Sequence, residues 1–179
     1  MDESLLELIE KSRLGDKNAF ASLVQRFQNR VFSVAYGVIG NQQDAEDIAQ
    51  ETFIKAYKGI IKLNNTEGFY KWLLRIAINT SISYKKSLTN VKCVPIDDVA
   101  EPAYQGETPE EYVDKKENIK TLGLVLAELT PEHRAILVLR EIEGLAYDEI
   151  ANLFEIPLGT VKSRINHARE KLREELSKR

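Results

Sequence analysis

The sequence has few of the residues that build metal, disulfide or redox sites. Its 179 residues include one cysteine, Cys93, and two histidines, His133 and His167, that stand far apart. A lone cysteine cannot form an internal disulfide, and this spacing of His and Cys matches no zinc motif. The sequence also has no glycine-rich phosphate loop and no nucleophile paired with a base. We therefore predict no enzyme activity, no catalytic residue, no metal, no cofactor and no small-molecule substrate.

Long apolar runs and a leader pattern are also absent. No stretch of about 18 apolar residues occurs, and the chain begins with Met1, Asp2 and Glu3 rather than with the basic and then apolar order of a signal peptide. These absences predict a cytoplasmic protein. The hydrophobic content of 43% is enough for a packed core in one ordinary domain or in two small ones.

The net charge of −3 conceals three segments of alternating sign. Residues 52–86 hold seven Lys and Arg against one acidic residue, a net +6. Residues 88–117 hold three Lys against eight acidic residues, a net −5, and residues 158–179 hold seven basic against three acidic residues, a net +4. Because the local charge sets the field that a nucleic acid meets, the two basic segments are the candidates for nucleic-acid contact.

Apolar periodicity divides the chain into two helical blocks. Apolar residues recur at steps of three and four in residues 20–35, 45–60, 69–80 and 135–142. The acidic segment between the blocks contains Pro95, Pro102 and Gly106 without such a period, which is typical of a linker, and a helix-capping pattern at Thr108 marks its end. We predict an all-α protein with two small helical domains joined by a flexible acidic linker, with boundaries at residues 1–87, 88–107 and 108–179.

The second block contains the pattern of a helix-turn-helix. Two predicted helices, 147–154 and 159–178, are joined by the short connection 155–158. An inward apolar stripe on the second helix leaves its opposite face polar, where Lys, Ser and Asn can read base edges and Thr and Arg can hold phosphates. The predicted contacts with duplex DNA are Thr160, Lys162, Ser163, Arg164, Asn166, His167 and Arg169. The alternative is a basic helix face that is only solvated.

Motifs in both blocks carry a resemblance to a known family. The run from Ile156 to Arg164, preceded by Ile150 and Ala151, closely resembles region 4 of the extracytoplasmic-function (ECF) sigma factors. The runs 44–53 and 72–79 resemble region 2 of the same family. The resemblance covers nearly the whole chain. It implies a factor that binds core RNA polymerase and directs promoter-specific initiation, contacting the −10 element with the N-terminal domain and the −35 element with the helix-turn-helix.

The resemblance also implies partners and surfaces. The partners would be the clamp and flap regions of core RNA polymerase, promoter DNA and an anti-sigma factor. The helix 44–57 would dock on the clamp through Asp47, Gln50, Glu51 and Ile54. The segment 63–86 would grip the −10 element as it melts, since opened strands expose bases that stack on aromatic rings. The candidates there are Asn65, Phe69, Tyr70, Lys71, Arg75, Asn79, Ser83 and Lys85. Trp72 is left open between core packing and base stacking.

A stand-alone dimeric helix-turn-helix regulator is the alternative function, with the first block used for dimerisation or sensing. The match of that block to docking and strand-opening motifs favours the sigma factor. Two positions depart from the family pattern. His167 stands where many relatives have arginine, and Ala146 stands where a Ser or Thr cap is frequent.

Overall fold

The computed structural model of the protein describes residues 4–89, 126 and 129–177. Within these ranges the chain forms seven α-helices and one short 3₁₀ helix, without a strand, which confirms the predicted all-α class. The helices are α1 (Leu5–Arg13), α2 (Lys17–Ile39), α3 (Gln42–Gly59), the 3₁₀ helix (Ile60–Lys62), α4 (Phe69–Thr89), α5 (Pro131–Glu141), α6 (Tyr147–Phe154) and α7 (Leu158–Ser177). Helix α4 includes Leu88 and Thr89, the first two residues of the predicted linker. Most of the predicted linker, with Cys93, and the predicted cap at Thr108 lie outside the described residues.

Local signals set the ends of the longest helix, α2. The Asp16 carboxylate accepts hydrogen bonds from the backbone N–H groups of Asn18, at 2.8 Å, and Ala19, at 3.1 Å. These bonds satisfy donors that have no partner inside the helix. The helix ends at Gly40, whose φ of 80° lies in the left-handed region that glycine adopts without a steric cost.

The N-terminal domain is a bundle in which α2 packs against α1, α3 and α4. Its largest buried side chains come from these four helices and from the 3₁₀ helix, and they include Ile9, Leu23, Ile48, Ile60, Phe69, Leu73, Leu74 and Ile78. Rings add to this packing, since Phe27 lies 5.6 Å from Phe69 between ring centroids. A single apolar face on each helix therefore forms one core, as the apolar period predicts.

The C-terminal helices form a smaller unit. Thr130 caps α5 by accepting a hydrogen bond from the His133 N–H, and Pro131 occupies the first helical position. Gly144, with φ of 68°, turns the chain between α5 and α6. Helix α6 begins at Ala146 without a side-chain cap, but the Glu149 carboxylate accepts from the Ala146 N–H at 2.8 Å. Glu149 thus supplies half of a capping box where the alanine cannot supply the other half.

The two domains pack against each other. Helix α5 lies against α2 and α4, and α6 touches α4. The buried residues of both domains form one continuous cluster, which joins Val34 and Val38 of α2 to Ala135 and Val138 of α5. The sequence pattern predicts two helical blocks but contains no sign of this packing.

Candidate nucleic-acid interface

The helix-turn-helix is formed by α6, a tight turn and α7. The turn reverses the chain at Glu155, the one non-glycine residue with positive φ (55°) in the described ranges. The Ile156 N–H bonds back to the Ala151 carbonyl at 3.1 Å, and the Thr160 N–H bonds to the Pro157 carbonyl at 2.9 Å. Together these bonds end α6 and start α7. Backbone hydrogen bonds therefore define the short connection between the two helices.

Helix α7 separates an apolar face from a polar face. The stripe predicted to face inward is buried at Val161, Ile165 and Ala168. The polar face carries the predicted base-reading and phosphate-binding residues, of which Thr160 and Arg164 are half-buried and the others are exposed, namely Lys162, Ser163, Asn166, His167 and Arg169. The structure thus brings all seven predicted residues to one helix, with their side chains outside the core.

Two contacts modify the α7 surface. The Arg169 guanidinium lies 2.7 Å from the Glu141 carboxylate of α5, and this hydrogen bond raises the Arg169 pKa. The His167 ring lies 5.6 Å from the His133 ring between centroids. Burial, with the positive charge of Arg164, lowers the pKa of His133. The surroundings of His133 therefore disfavour a proton on its ring.

Helix α4 presents a ladder of polar side chains. Lys71, Arg75, Asn79 and Ser83 follow one another at steps of four, and all four are exposed. This spacing places them on one side of the helix, which is predominantly basic at its N-terminal half. The basic side chains on this side of the helix can contact the phosphates of a separated strand, and its neutral polar side chains can contact the bases.

The other predicted −10 contacts differ in accessibility. The Asn65 side chain is exposed and accepts from the Gly68 N–H at 3.2 Å, which stabilises the turn before α4. Tyr70 is half-buried, stacks on Phe27 with ring centroids 5.3 Å apart, and has Arg30 5.3 Å above its ring. Lys85 is half-buried, and its Nζ donates to the Ile39 carbonyl at 3.2 Å. Burial lowers the pKa of Lys85.

The prediction for Phe69 is wrong, because its side chain belongs to the core. Phe69 is only 2% exposed, and it packs between Phe27 and Trp72. A ring enclosed in this way cannot stack on a base. Trp72 is half-buried and packs so closely on Gly59 that a Cβ there would lie 3.0 Å from its ring. These contacts give Trp72 a packing role.

The predicted docking surface on α3 is open. Asp47, Gln50, Glu51 and Ile54 are all exposed, and Ile54 is a large apolar side chain with 55% exposure. Glu51 pairs with Lys55 at 2.7 Å, and the Lys55 ammonium also donates to the Thr80 hydroxyl of α4 at 3.1 Å. The docking surface is therefore attached to α4 by a polar contact as well as by the core.

Sequence reasoning missed the residues that join the domains. Arg134 of α5 donates to the carbonyls of Val38, at 2.9 Å, and Ile39, at 3.3 Å, although it is 96 residues from Val38 along the chain. Burial lowers the pKa of Arg134 to about 10. An arginine in an amphipathic helix gives no local signal of such burial.

Family comparisons identify the chain. The family model of sigma-70 region 2 matches residues 23–90, and that of sigma-70 region 4 matches residues 119–172. The sigma-H factor of Pseudomonas aeruginosa is 37% identical over 174 residues, which cover 92% of this chain and 89% of that protein. The chain belongs to the sigma-70 family. It is a sigma factor for promoter-specific transcription initiation, as the motifs predict.

Further relatives place this sigma factor in the ECF group. The ECF sigma-E factor of Haemophilus influenzae is 36% identical, with 91% of this chain and 90% of the relative covered. The ECF sigma factor SigW of Bacillus subtilis is 32% identical, with 98% of both chains covered.

Solved structures share the fold. CnrH, in complex with the cytosolic domain of CnrY, superposes with a TM-score of 0.67 at 23% identity, over 96% of both chains. The sigma factor RpoE of Bartonella quintana, in complex with the anti-sigma factor NepR, gives a TM-score of 0.69 at 23% identity, over 88% of this chain and 96% of that one. Within residues 4–89, 126 and 129–177, no helix is long and apolar enough to cross a membrane.

Proposed function

We propose that this sigma factor docks on core RNA polymerase through α3 and presents α4 to the −10 element and α7 to the −35 element. The observation that carries the proposal is the separation of faces on these three helices. Each helix buries its apolar face in the core and leaves the residues that the family motifs assign to partners outside it, with the exception of Phe69. The polymerase supplies the chemistry, and the sigma factor has no catalytic step of its own.

Docking through α3 has a physical basis in Ile54. Burying an isoleucine side chain that water otherwise surrounds contributes about 1.5–3 kcal/mol, and part of that gain is available here because Ile54 is half-exposed. Asp47, Gln50 and Glu51 surround it with acceptors and one amide. An apolar centre with a polar rim is the usual composition of a protein interface.

Recognition of the −10 element is assigned to the ladder on α4. Lys71 and Arg75 provide positive charge for the phosphates, whereas Asn79 and Ser83 provide donors and acceptors for bases. A separated strand has unpaired base edges, so neutral polar side chains can read it without entering a groove.

Recognition of the −35 element is assigned to α7. A helix of this length fits the major groove, and residues near its N-terminal end reach base edges in helix-turn-helix proteins. Lys162 and Asn166 lie one turn apart on its exposed face. Their side chains pair with guanine and adenine respectively.

An anti-sigma factor is a further partner that we infer from relatives. CnrH was solved in complex with the cytosolic domain of CnrY, and RpoE in complex with the anti-sigma factor NepR. The exposed apolar Ile54 is one place where such a partner gains free energy by covering the docking surface.

Run-off transcription with core polymerase on a promoter library tests the function. The expected result is promoter-specific transcripts with the parent protein, and weaker core binding when Gln50→Ala and Ile54→Glu are combined. Gln42→Ala is the matched control, because Gln42 is exposed in the first turn of the same helix. A folded double variant that binds core polymerase as tightly as the parent would refute the docking assignment. A parent protein that is dimeric and ignores polymerase would refute the function itself.

A further inference from the structure

The flank of α7 that faces α5 carries three basic side chains in one row. Arg164, His167 and Lys171 follow one another at steps of three and four, which places them on the same side of the helix. His133 of α5 lies against this row, since its ring centroid is 5.6 Å from that of His167. Burial lowers the pKa of His133, and the basic groups of the row lower it further. We call these four residues the basic cluster.

The basic cluster is accessible and has an excess of positive charge. His167 is exposed, and the other three side chains are half-buried. Among the described residues, the acidic group that acts on His133 is Glu132 of α5. The Glu132 carboxylate lies 2.6 Å from the Lys86 ammonium of α4, so its charge is already balanced by another helix. The arginine and the lysine of the row therefore leave the cluster positive even when both imidazoles are neutral.

This charge favours an anion over a metal ion as the ligand of the cluster. Two neighbouring imidazoles can share a transition metal, but Arg164 and Lys171 repel a cation. Within residues 4–89, 126 and 129–177, no group of three His, Cys, Asp or Glu side chains could hold such a metal. The oxygens of a phosphate instead accept hydrogen bonds from imidazole, guanidinium and ammonium groups alike. The cluster thus has the chemistry of a phosphate site.

The position of the cluster on α7 favours DNA as the source of the phosphate. His167 belongs both to this row and to the exposed face that carries Lys162 and Asn166. The major groove is about 12 Å wide, and an α-helix with its side chains is about 10–12 Å across. The flanks of a helix that lies in this groove are therefore next to the two DNA backbones. The row beside α5 would face one of them.

We propose that the basic cluster binds one phosphate of the −35 element, and that His133 takes up a proton when this phosphate binds. The proposal rests on the assignment of α7 to the −35 element. The charges that face His133 are the three basic groups of α7 and the Glu132 carboxylate, and a bound phosphate adds a negative charge beside the ring. An opposite charge within about 4–6 Å favours the protonated imidazole.

Proton uptake links DNA affinity to pH. In the free protein the pKa of His133 is below its ordinary value of about 6.5, so the ring is largely neutral at pH 7 and has a proton to gain. Affinity should increase as the pH falls through the pKa of the DNA-bound state, and it should level off below the lower pKa of the free protein. If the phosphate raises the pKa of His133 by about one unit, the affinity rises by about tenfold across this range.

Holoenzyme binding to a labelled promoter duplex tests the linkage, measured by fluorescence anisotropy from about pH 8 to about pH 5.5, where histidine titrates. His133→Gln removes the titrating ring and keeps a polar side chain. Affinity of the parent should rise by about tenfold more than that of this variant, which reports the pH dependence of the polymerase itself. Arg173→Gln is the matched control, because Arg173 is an exposed cation of α7 outside the cluster, and it should retain the rise of the parent. Circular dichroism at each pH confirms that the variants are folded.

Neutral methylphosphonates, placed one at a time in the backbone of the −35 element, locate the phosphate. One position should reduce both the affinity of the parent and its rise at low pH, and the same substitution should affect His133→Gln less. Inorganic phosphate, added at constant ionic strength, is the probe for a free anion. It should leave the difference between the parent and His133→Gln unchanged, and its abolition of that difference would mean that free phosphate and not DNA is the ligand.

Equal pH dependence in the parent and in His133→Gln would overturn the proposal. A difference that no single −35 phosphate carries would overturn it as well, because the proton would then act through the fold. The assignment of α7 fails by a separate result. If neither a methylphosphonate nor a base-pair change in the −35 element alters binding of the parent, then α7 does not contact that element.

Discussion

The recognition helix α7 offers a test that separates base reading from phosphate binding. Lys162 and Asn166 are exposed, whereas Val161 and Ile165 beside them are buried. Replacing either exposed residue by alanine therefore removes contact atoms without opening the core, and we expect changes in folding stability within about 0.5 kcal/mol. Any larger loss of function in these variants must come from DNA contacts.

The expected magnitudes follow from the type of contact. Lys162→Ala or Asn166→Ala should lose about 1–3 kcal/mol of discrimination, or about 5- to 150-fold, at one or two positions of the −35 element. Arg169→Ala should weaken binding to every sequence alike and flatten the salt dependence of log K by about 0.9, if the guanidinium holds one phosphate. Arg169 must first separate from Glu141 before it can contact a phosphate. Because that ion pair is solvent-exposed, breaking it reduces the free energy of DNA binding by less than about 1 kcal/mol.

The assay is holoenzyme binding to systematically mutated −35 elements at several salt concentrations. Asn152→Ala is the matched control, because Asn152 is also an exposed asparagine and lies on α6. The same uniform loss for Lys162→Ala and Arg169→Ala across every sequence would mean that α7 is only a basic surface. Our placement of α7 in the major groove would then be wrong.

Three further predictions concern charge and capping. His167→Arg should raise holoenzyme affinity for the −35 element and steepen its salt dependence, measured by the same titrations, because an arginine stays charged at neutral pH. The pKa of His133 is lower in the folded protein than in the unfolded chain, so the unfolded chain binds a proton at His133 more tightly. The folded protein therefore loses stability as the pH falls through about 6.5. His133→Gln should reduce that loss in thermal unfolding between about pH 7 and about pH 5. Asp16→Ala should cost about 1 kcal/mol in the same assay, and Asp16→Asn should cost little, since both Asp and Asn can accept from the Asn18 N–H.

The helices and most of their ends could be predicted from the sequence because local chemistry sets them. Thr130 with Pro131 starts α5, Gly40 ends α2, and Gly144 turns the chain after α5, both glycines through backbone conformations that other residues rarely adopt. These signals act within a few residues. They do not depend on which surface a helix later meets, so a single sequence contains them.

The orientation of α4 shows where sequence patterns become insufficient. Phe69 and Tyr70 are adjacent aromatics at the start of a basic helix, and both look suited to base stacking. The structure buries Phe69 against Phe27 and leaves Tyr70 at the edge of the core. Which of two neighbouring rings turns inward depends on the partner helix, and the period of α4 alone does not contain that information.

The domain interface was beyond prediction for a related reason. Its contacts join residues 73, 80 and 96 positions apart along the chain, so no local period reports them. The carboxylates that meet α4 belong to helices α5 and α6 and to the turns before and after α6, and each looks like an ordinary solvated residue in sequence. The net charge of each segment draws attention to the acidic linker and not to these carboxylates. Most of the linker lies outside the described residues. Arg75, which we propose to contact phosphates, pairs here with the chain's own Glu155 carboxylate. If α4 binds phosphates as we propose, DNA must displace the Glu155 carboxylate before a phosphate reaches Arg75, and an exposed pair of this kind opposes that exchange by less than about 1 kcal/mol.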